Sequence, residues 1–204
     1  MSNAVRAFIA IELPGFIKTA IADVQKSLMR KIPGIRWTTP NHIHLTLAFL
    51  GDVLPEDITG ICGVLSELAE TVSPFELSVK GLGAFPGLGR PRVVWMGIGG
   101  EINRLQHLYR GLSEHLEIIG FAGEKRPFVG HLTLGRAKEH VHAIRLVDCV
   151  RGMKDFETRR FNVNEAALVK SELKPDGPIY TKLCSAEFTG AFESSKFNNQ
   201  AFTA

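Results

Sequence analysis

Only three cysteines occur in 204 residues, at positions 62, 149 and 184, with no C-x-x-C pair. An odd, scattered set gives no reason to expect a disulfide framework or a structural zinc site, and leaves small buried hydrophobes as the expected role. No apolar run approaches the roughly 20 residues of a membrane-spanning helix. The apolar stretch 7–14 is short and interrupted by Glu12, unlike a secretory leader, so a cytoplasmic protein with no membrane partner is expected. A monomer is expected as well. No Gly-Lys-Ser/Thr follows Gly81-x-Gly or Gly87-x-Gly, so a nucleoside-triphosphate loop is not supported. A strong excess of one charge is missing too. Lys and Arg number 24 against 21 Asp and Glu, a net charge of +3 that is compatible with a polyanionic partner and weak evidence for one. The 45% hydrophobic and 22% charged fractions are ordinary for a globular chain, long enough for one good core or two packed lobes.

What the chain does contain is a repeated phrase. It reads His44-Leu45-Thr46-Leu47 and again His131-Leu132-Thr133-Leu134, each within a short apolar run. Side chains alternate along a strand, so each copy places an imidazole and a hydroxyl on one face and two leucines on the other. Two copies facing each other would bring two histidines and two hydroxyls to one cleft. An imidazole titrates near pH 6.5, so one can accept a proton while its partner donates one. On opposite sides of a phosphorus that pair suffices for in-line displacement without a metal. A lone histidine on a strand is usually unremarkable. The repetition of histidine, spacing, hydroxyl and leucine raises these above that background.

The rest of the chain reads as alternating elements. Strands are expected at 6–12, 35–37, 42–50, 75–82, 92–98, 129–135, 158–170 and 179–188, the 42–50 strand being closed by Gly51-Asp52. Helices are expected at 16–30, from Pro55 to about 71, at 101–118 and at 139–151. The order of elements is coarsely duplicated, with halves of about 1–95 and 96–190. Short loops between paired strands favour an α+β architecture: two pseudo-symmetric lobes of antiparallel sheet with outer helices around a central cleft. Residues 1–190 form one bilobal domain, followed by a polar tail, 191–204, frayed from about Glu193 onward.

Other candidates sit around the repeated phrase. Thr46 and Thr133 can hydrogen-bond a phosphate oxygen as charge develops there. Arg136, five positions after His131, can hold a phosphate bidentately. Arg92 and Arg126 lie nearby and could contact RNA, while Lys125 reads as solvated surface charge. Phe49 could stack on a base, but alternation sends it to the face opposite His44 unless a bulge or the strand's end turns it. His42 and His44 share a metal-ligand spacing, with His131 as the only available third donor; apart from Asp52, no carboxylate lies beside either motif strand in sequence.

These residues resemble the two-histidine phosphoesterases, in particular the RNA 2′,3′-cyclic phosphodiesterases also called 2′-5′ RNA ligases. The likeness extends to RAFIAIELP (6–14), IRWTTPNHIHLTLAFLGDV (35–53), GLGAFPGLGRPRVVWMGI (81–98), RPFVGHLTLGR (126–136) and LVKSELKPDGPIYTKL (168–183). Gly130 departs from it, since members often carry proline before the second histidine. The resemblance implies a bilobal fold and cofactor-free, metal-free hydrolysis of a terminal RNA 2′,3′-cyclic phosphate to a 2′-phosphate, with reverse joining of tRNA fragments as a companion activity. It implies His131 as base and His44 as acid, Thr46, Thr133 and Arg136 on the phosphate, and Phe49 on the terminal base. Two alternatives remain: a metal-dependent hydrolase on His42, His44 and His131, and a non-catalytic RNA-binding module.

Overall fold

A computed structural model describes residues 3–123, 126–138, 143–175 and 177–191. The elements run β1 (Val5–Glu12), α1 (Gly15–Lys31), β2 (Ile35–Trp37), a 3-10 turn (Pro40–His42), β3 (His44–Val53), α2 (Pro55–Thr71), β4 (Phe75–Phe85), β5 (Val93–Gly100), α3 (Ile102–Ile118), β6 (His131–Ala137), α4 (Ala143–Gly152), β7 (Phe161–Val163), β8 (Glu165–Lys174) and β9 (Gly177–Glu187). Local chemistry accounts for the helices. Pro55 occupies the first turn of α2, where its missing N–H costs nothing, with Glu56 and Asp57 against the helix dipole. Arg30 and Lys31 close α1 with the complementary charge. Helix α3 buries Leu105, Leu108, Leu112 and Leu116, a stripe at three- and four-residue spacing that seats it on the core.

The strands form two antiparallel sheets, ordered β3-β1-β8-β9 and β2-β6-β5-β4-β7. Each sheet draws strands from both halves of the chain, and β2 leaves its sequence neighbours to pair with β6. The expected α+β architecture is present. The motif strands β3 and β6 lie against one another where the sheets approach. Leu45, Leu47, Leu132 and Leu134 are all buried in one shared core, which fixes which face of each motif strand is left for the histidine. A smaller cluster of Phe8, Ala10, Ala167 and Val169, capped by Tyr180, covers the other face of the first sheet.

Several expectations change in detail. Strand β3 passes through Gly51, at φ 71°, and ends at Val53. The strand expected over 158–170 is two strands joined at Asn164. The expected start of α4 at 139–142, and the tail from residue 192, lie outside the described residues. The cysteine expectation is corrected more fundamentally. Cys62 of α2 and Cys184 of β9 are joined as a disulfide with a Cα–Cα distance of 6.3 Å, while Cys149 stays free and buried. The two are separated by 122 positions, so spacing along the chain carried no sign of the pairing. Packing of α2 on β9 brings them together. Such a bond is uncommon in a reducing cytosol. Among the described residues no helix is long and apolar enough to cross a membrane.

Candidate functional site

Both motif histidines are held in the same way. His44 Nδ1 lies 2.9 Å from the carbonyl oxygen of His42, and His131 Nδ1 lies 2.7 Å from that of Val129, in each case two residues back. A carbonyl can only accept, so Nδ1 carries the proton and Nε2 is left as the nitrogen that reacts. The turn Pro40–His42 supplies the first carbonyl and the segment before β6 supplies the second.

The surroundings of the two rings differ. His44 stacks on Phe8, with centroids 4.5 Å apart, and meets the edge of Tyr180 at 5.4 Å. Burial there pushes the His44 pKa down from 6.5 to about 4. The His42 carbonyl opposes that shift, and the charges of His42 and Lys18 add to it. His131 sits against Phe85 at 4.9 Å and Trp95 at 6.1 Å. Trp95 lies flat over Gly83, where any Cβ would run into the indole, so that wall requires glycine beneath it.

A bulge at the fourth position of each motif decides what else faces the cleft. On β3, Ile9 pairs with Ala48 and Ala10 with Thr46, which leaves Leu47 as the extra residue. On β6, Val94 pairs with Gly135 and Trp95 with Thr133, which leaves Leu134. Each bulge shifts the alternation by one, so the fifth residue after the histidine returns to the histidine's face. That residue is Phe49 in the first copy and Arg136 in the second. Phe49 is 59% exposed and 6.2 Å from Phe8. The parity objection to Phe49 is thereby corrected: the strand bulges, and Phe49 shares a face with His44 and Thr46. The bulge on β6 has a dedicated support. The Leu134 carbonyl accepts the Thr38 N–H at 2.8 Å and the Gln25 Nε2 at 2.9 Å, and Gln25, which also bonds the Thr38 carbonyl, is fully buried. Gly135 is required beside it, because a Cβ there would stand 2.6 Å from Ile35 Cγ2.

Charge crosses the cleft. Burial raises the pKa of Tyr180 of β9, while the cations of Arg136 and Arg6 draw it back. Arg136 of one sheet therefore acts on a residue that touches His44 of the other. Glu12 stands opposite His44 in register but is 3.8 Å from Lys182, which also binds Glu165 at 2.9 Å.

The structure thus gathers His44, Thr46 and Phe49 on one motif face and His131, Thr133 and Arg136 on the other. Arg92 is exposed beside the end of β6, where its carbonyl accepts the Ala137 N–H, and Arg126 is exposed in the segment before β6. Lys125 lies outside the described residues. His42 contributes its carbonyl, and its ring meets Tyr180 edge-on at 5.4 Å. Among the described residues no three His, Cys, Asp or Glu side chains group as a metal site, so His42, His44 and His131 do not form one. Sequence reasoning missed Phe8, Tyr180, Phe85, Trp95 and Gln25. The even positions of β1 gave some sign of Phe8; Tyr180 and Trp95 stood inside recognised blocks without a motif of their own.

Comparison with known proteins gives a consistent picture. The family described as LigT like Phosphoesterase matches residues 11–95 and 99–180. A protein of Methanothermobacter thermautotrophicus named RNA 2′,3′-cyclic phosphodiesterase is 33% identical over 88% of this chain and 96% of its own length. One of the same name from Archaeoglobus fulgidus is 36% identical over 87% and 97%. Among solved structures, one from Thermus thermophilus superposes with a TM-score of 0.76 at 30% identity, covering 92% of this chain and all of the other. Escherichia coli LigT complexed with 3′-AMP superposes at 0.71 and 27%, covering 92% and 99%.

Proposed function

The chain belongs to the LigT-like phosphoesterase family, and we propose that it opens the 2′,3′-cyclic phosphate at an RNA end to a 2′-phosphate. The observation that carries this reading is the pair of imidazoles on abutting motif strands of two sheets, each with Nδ1 tied to a carbonyl two residues back. The activity named for the relatives supports the opening of a 2′,3′-cyclic phosphate, and the 3′-AMP in the Escherichia coli structure supports a site for a ribose phosphate.

In the reaction a water oxygen bonds to phosphorus while the P–O3′ bond breaks in line. His131 Nε2 takes the proton from water, and His44 Nε2 delivers one to O3′. The two imidazoles then exchange protons with solvent, and no co-reactant is consumed. Thr46, Thr133 and Arg136 hold the non-bridging oxygens as charge accumulates on them. Phe49, exposed on the His44 face, stacks on the terminal base. This order makes a demand on His44, which is neutral in the free protein because its pKa is about 4. An anionic phosphate within hydrogen-bond reach favours the imidazolium by about 1–3 pKa units. The substrate thus charges the acid that expels its own leaving oxygen. Replacing water with the 5′-hydroxyl of a second RNA, a tRNA fragment for example, gives the reverse joining through a 2′-5′ bond. Because a single chain supplies both motif strands, one chain suffices to build the site.

The test is incubation with an oligoribonucleotide ending in a cyclic phosphate. A 2′-monoester product, formed at an unchanged rate in excess chelator, is expected. A 3′-monoester, or chelator-sensitive turnover, contradicts the scheme. Binding without turnover leaves the chain an RNA-binding module.

A further inference from the structure

Arg36 is the central residue of the three-residue edge strand β2, and it stands directly opposite Arg136 in the antiparallel register with β6. Residues directly opposite in an antiparallel pair project from the same face with Cβ atoms about 4.5–5.5 Å apart. The bulge at Leu134 turns Arg136 to the face of His131 and Thr133, so Arg36 faces the same way, one strand further out. Its neighbours Ile35 and Trp37 point to the other side, where they pack with the core. Both guanidinium-bearing residues are exposed, and no described carboxylate forms an ion pair with either. Like charges placed directly opposite destabilise a sheet. Among the described residues no carboxylate offsets that cost, which makes an anionic ligand the natural third member of the pair.

Arg136, assigned above to the reacting phosphate, lies on the strand that bears His131 and Thr133. Arg36 is left over. It sits beside Arg136 at the distance of one strand spacing, about 4.8 Å. We propose that Arg36 binds the internucleotide phosphodiester on the 5′ side of the terminal nucleotide, with Arg136 between it and the reacting phosphate. This subsite rests on the cyclic phosphodiesterase reading above and deepens it: the enzyme distinguishes the end of an RNA chain from a free cyclic mononucleotide. A guanidinium is suited to this task because its fork of N–H donors matches two phosphate oxygens at once.

The experiment compares adenosine 2′,3′-cyclic phosphate with the dinucleotide ApA carrying the same cyclic end, on the wild-type protein and on Arg36→Gln. With the dinucleotide, KM of Arg36→Gln rises about tenfold, as expected for one lost charged phosphate contact. With the mononucleotide, both KM and kcat stay within about twofold, the dinucleotide effect alone being assigned to this contact. Removing one of two opposed cations relieves repulsion, so the melting temperature does not fall. The salt dependence of the dinucleotide KM gives an independent reading: its logarithmic slope falls by about 0.7 in the variant. Equal losses on both substrates, or an unchanged dinucleotide KM and slope, overturn the subsite while leaving the cyclic phosphodiesterase reading intact. A wild-type protein that hydrolyses neither substrate overturns both.

Discussion

An imidazole stacked on Phe8 and edged by Tyr180 is poorly placed to carry charge, and burial accounts for most of the low His44 pKa. The same burial amplifies any ion that does enter, because little water remains to screen it. His44 is therefore sensitive to occupancy in a way an exposed histidine is not. In an NMR titration of the free protein, His44 should titrate near pH 4. With inorganic phosphate bound the midpoint should climb by at least about one unit. A free-protein midpoint near the ordinary 6.5, or one that phosphate leaves in place, contradicts the acid role given to this residue. At this scale the sequence was informative: His44, Thr46, His131 and Thr133 were legible because the phrase repeats. The aromatic rings that set the His44 environment were not, because Phe8 and Tyr180 come from strands far apart in the chain.

The elements that aim these side chains depend on two irregular residues. Leu47 and Leu134 are ordinary strand leucines by composition, so strict alternation misassigns Phe49, and nothing local announces a bulge. Only pairing with β1 and β5 exposes the extra residue. The helices were more readable because their apolar spacing is regular, as Leu105, Leu108, Leu112 and Leu116 show. Gln25 was invisible as a functional element, since a single glutamine on an amphipathic helix looks like solvent-facing surface. It bridges the Thr38 and Leu134 carbonyls at the bulge that turns Arg136. Gln25→Leu should cost about 1–3 kcal/mol of stability in urea melts, through the two lost hydrogen bonds, although the Leu134 carbonyl keeps the Thr38 N–H. If the bulge relaxes, KM for a cyclic-ended RNA rises as well, because Arg136 loses its aim. Lost stability with unchanged KM would reduce Gln25 to a purely structural role.

At the scale of the whole molecule, each sheet takes strands from both halves of the chain, so neither motif strand has its sheet until both halves have folded. Folding and protonation are consequently linked at His44. Its folded pKa, about 4, lies below the ordinary 6.5, so between these values the unfolded chain binds more protons and stability rises with pH. Acidification from pH 7 to pH 4 should remove roughly 3 kcal/mol through this group. Urea melts across that range should be steeper in pH for the wild-type protein than for His44→Gln, and matching slopes would show that His44 is not held neutral by the fold. The Cys62–Cys184 bond belongs to this scale as well, since only assembly of α2 on β9 unites residues 122 positions apart.

The most direct measurement of two imidazoles working on one phosphate is a kinetic cycle of His44→Ala, His131→Ala and the double variant on one cyclic-ended oligoribonucleotide. Residues that act as a unit are strongly non-additive. Each single change should lower kcat by about 10²–10⁴, and the double variant should be no slower than the worse single one. Losses that multiply, or either single variant retaining wild-type turnover, would contradict a shared reaction.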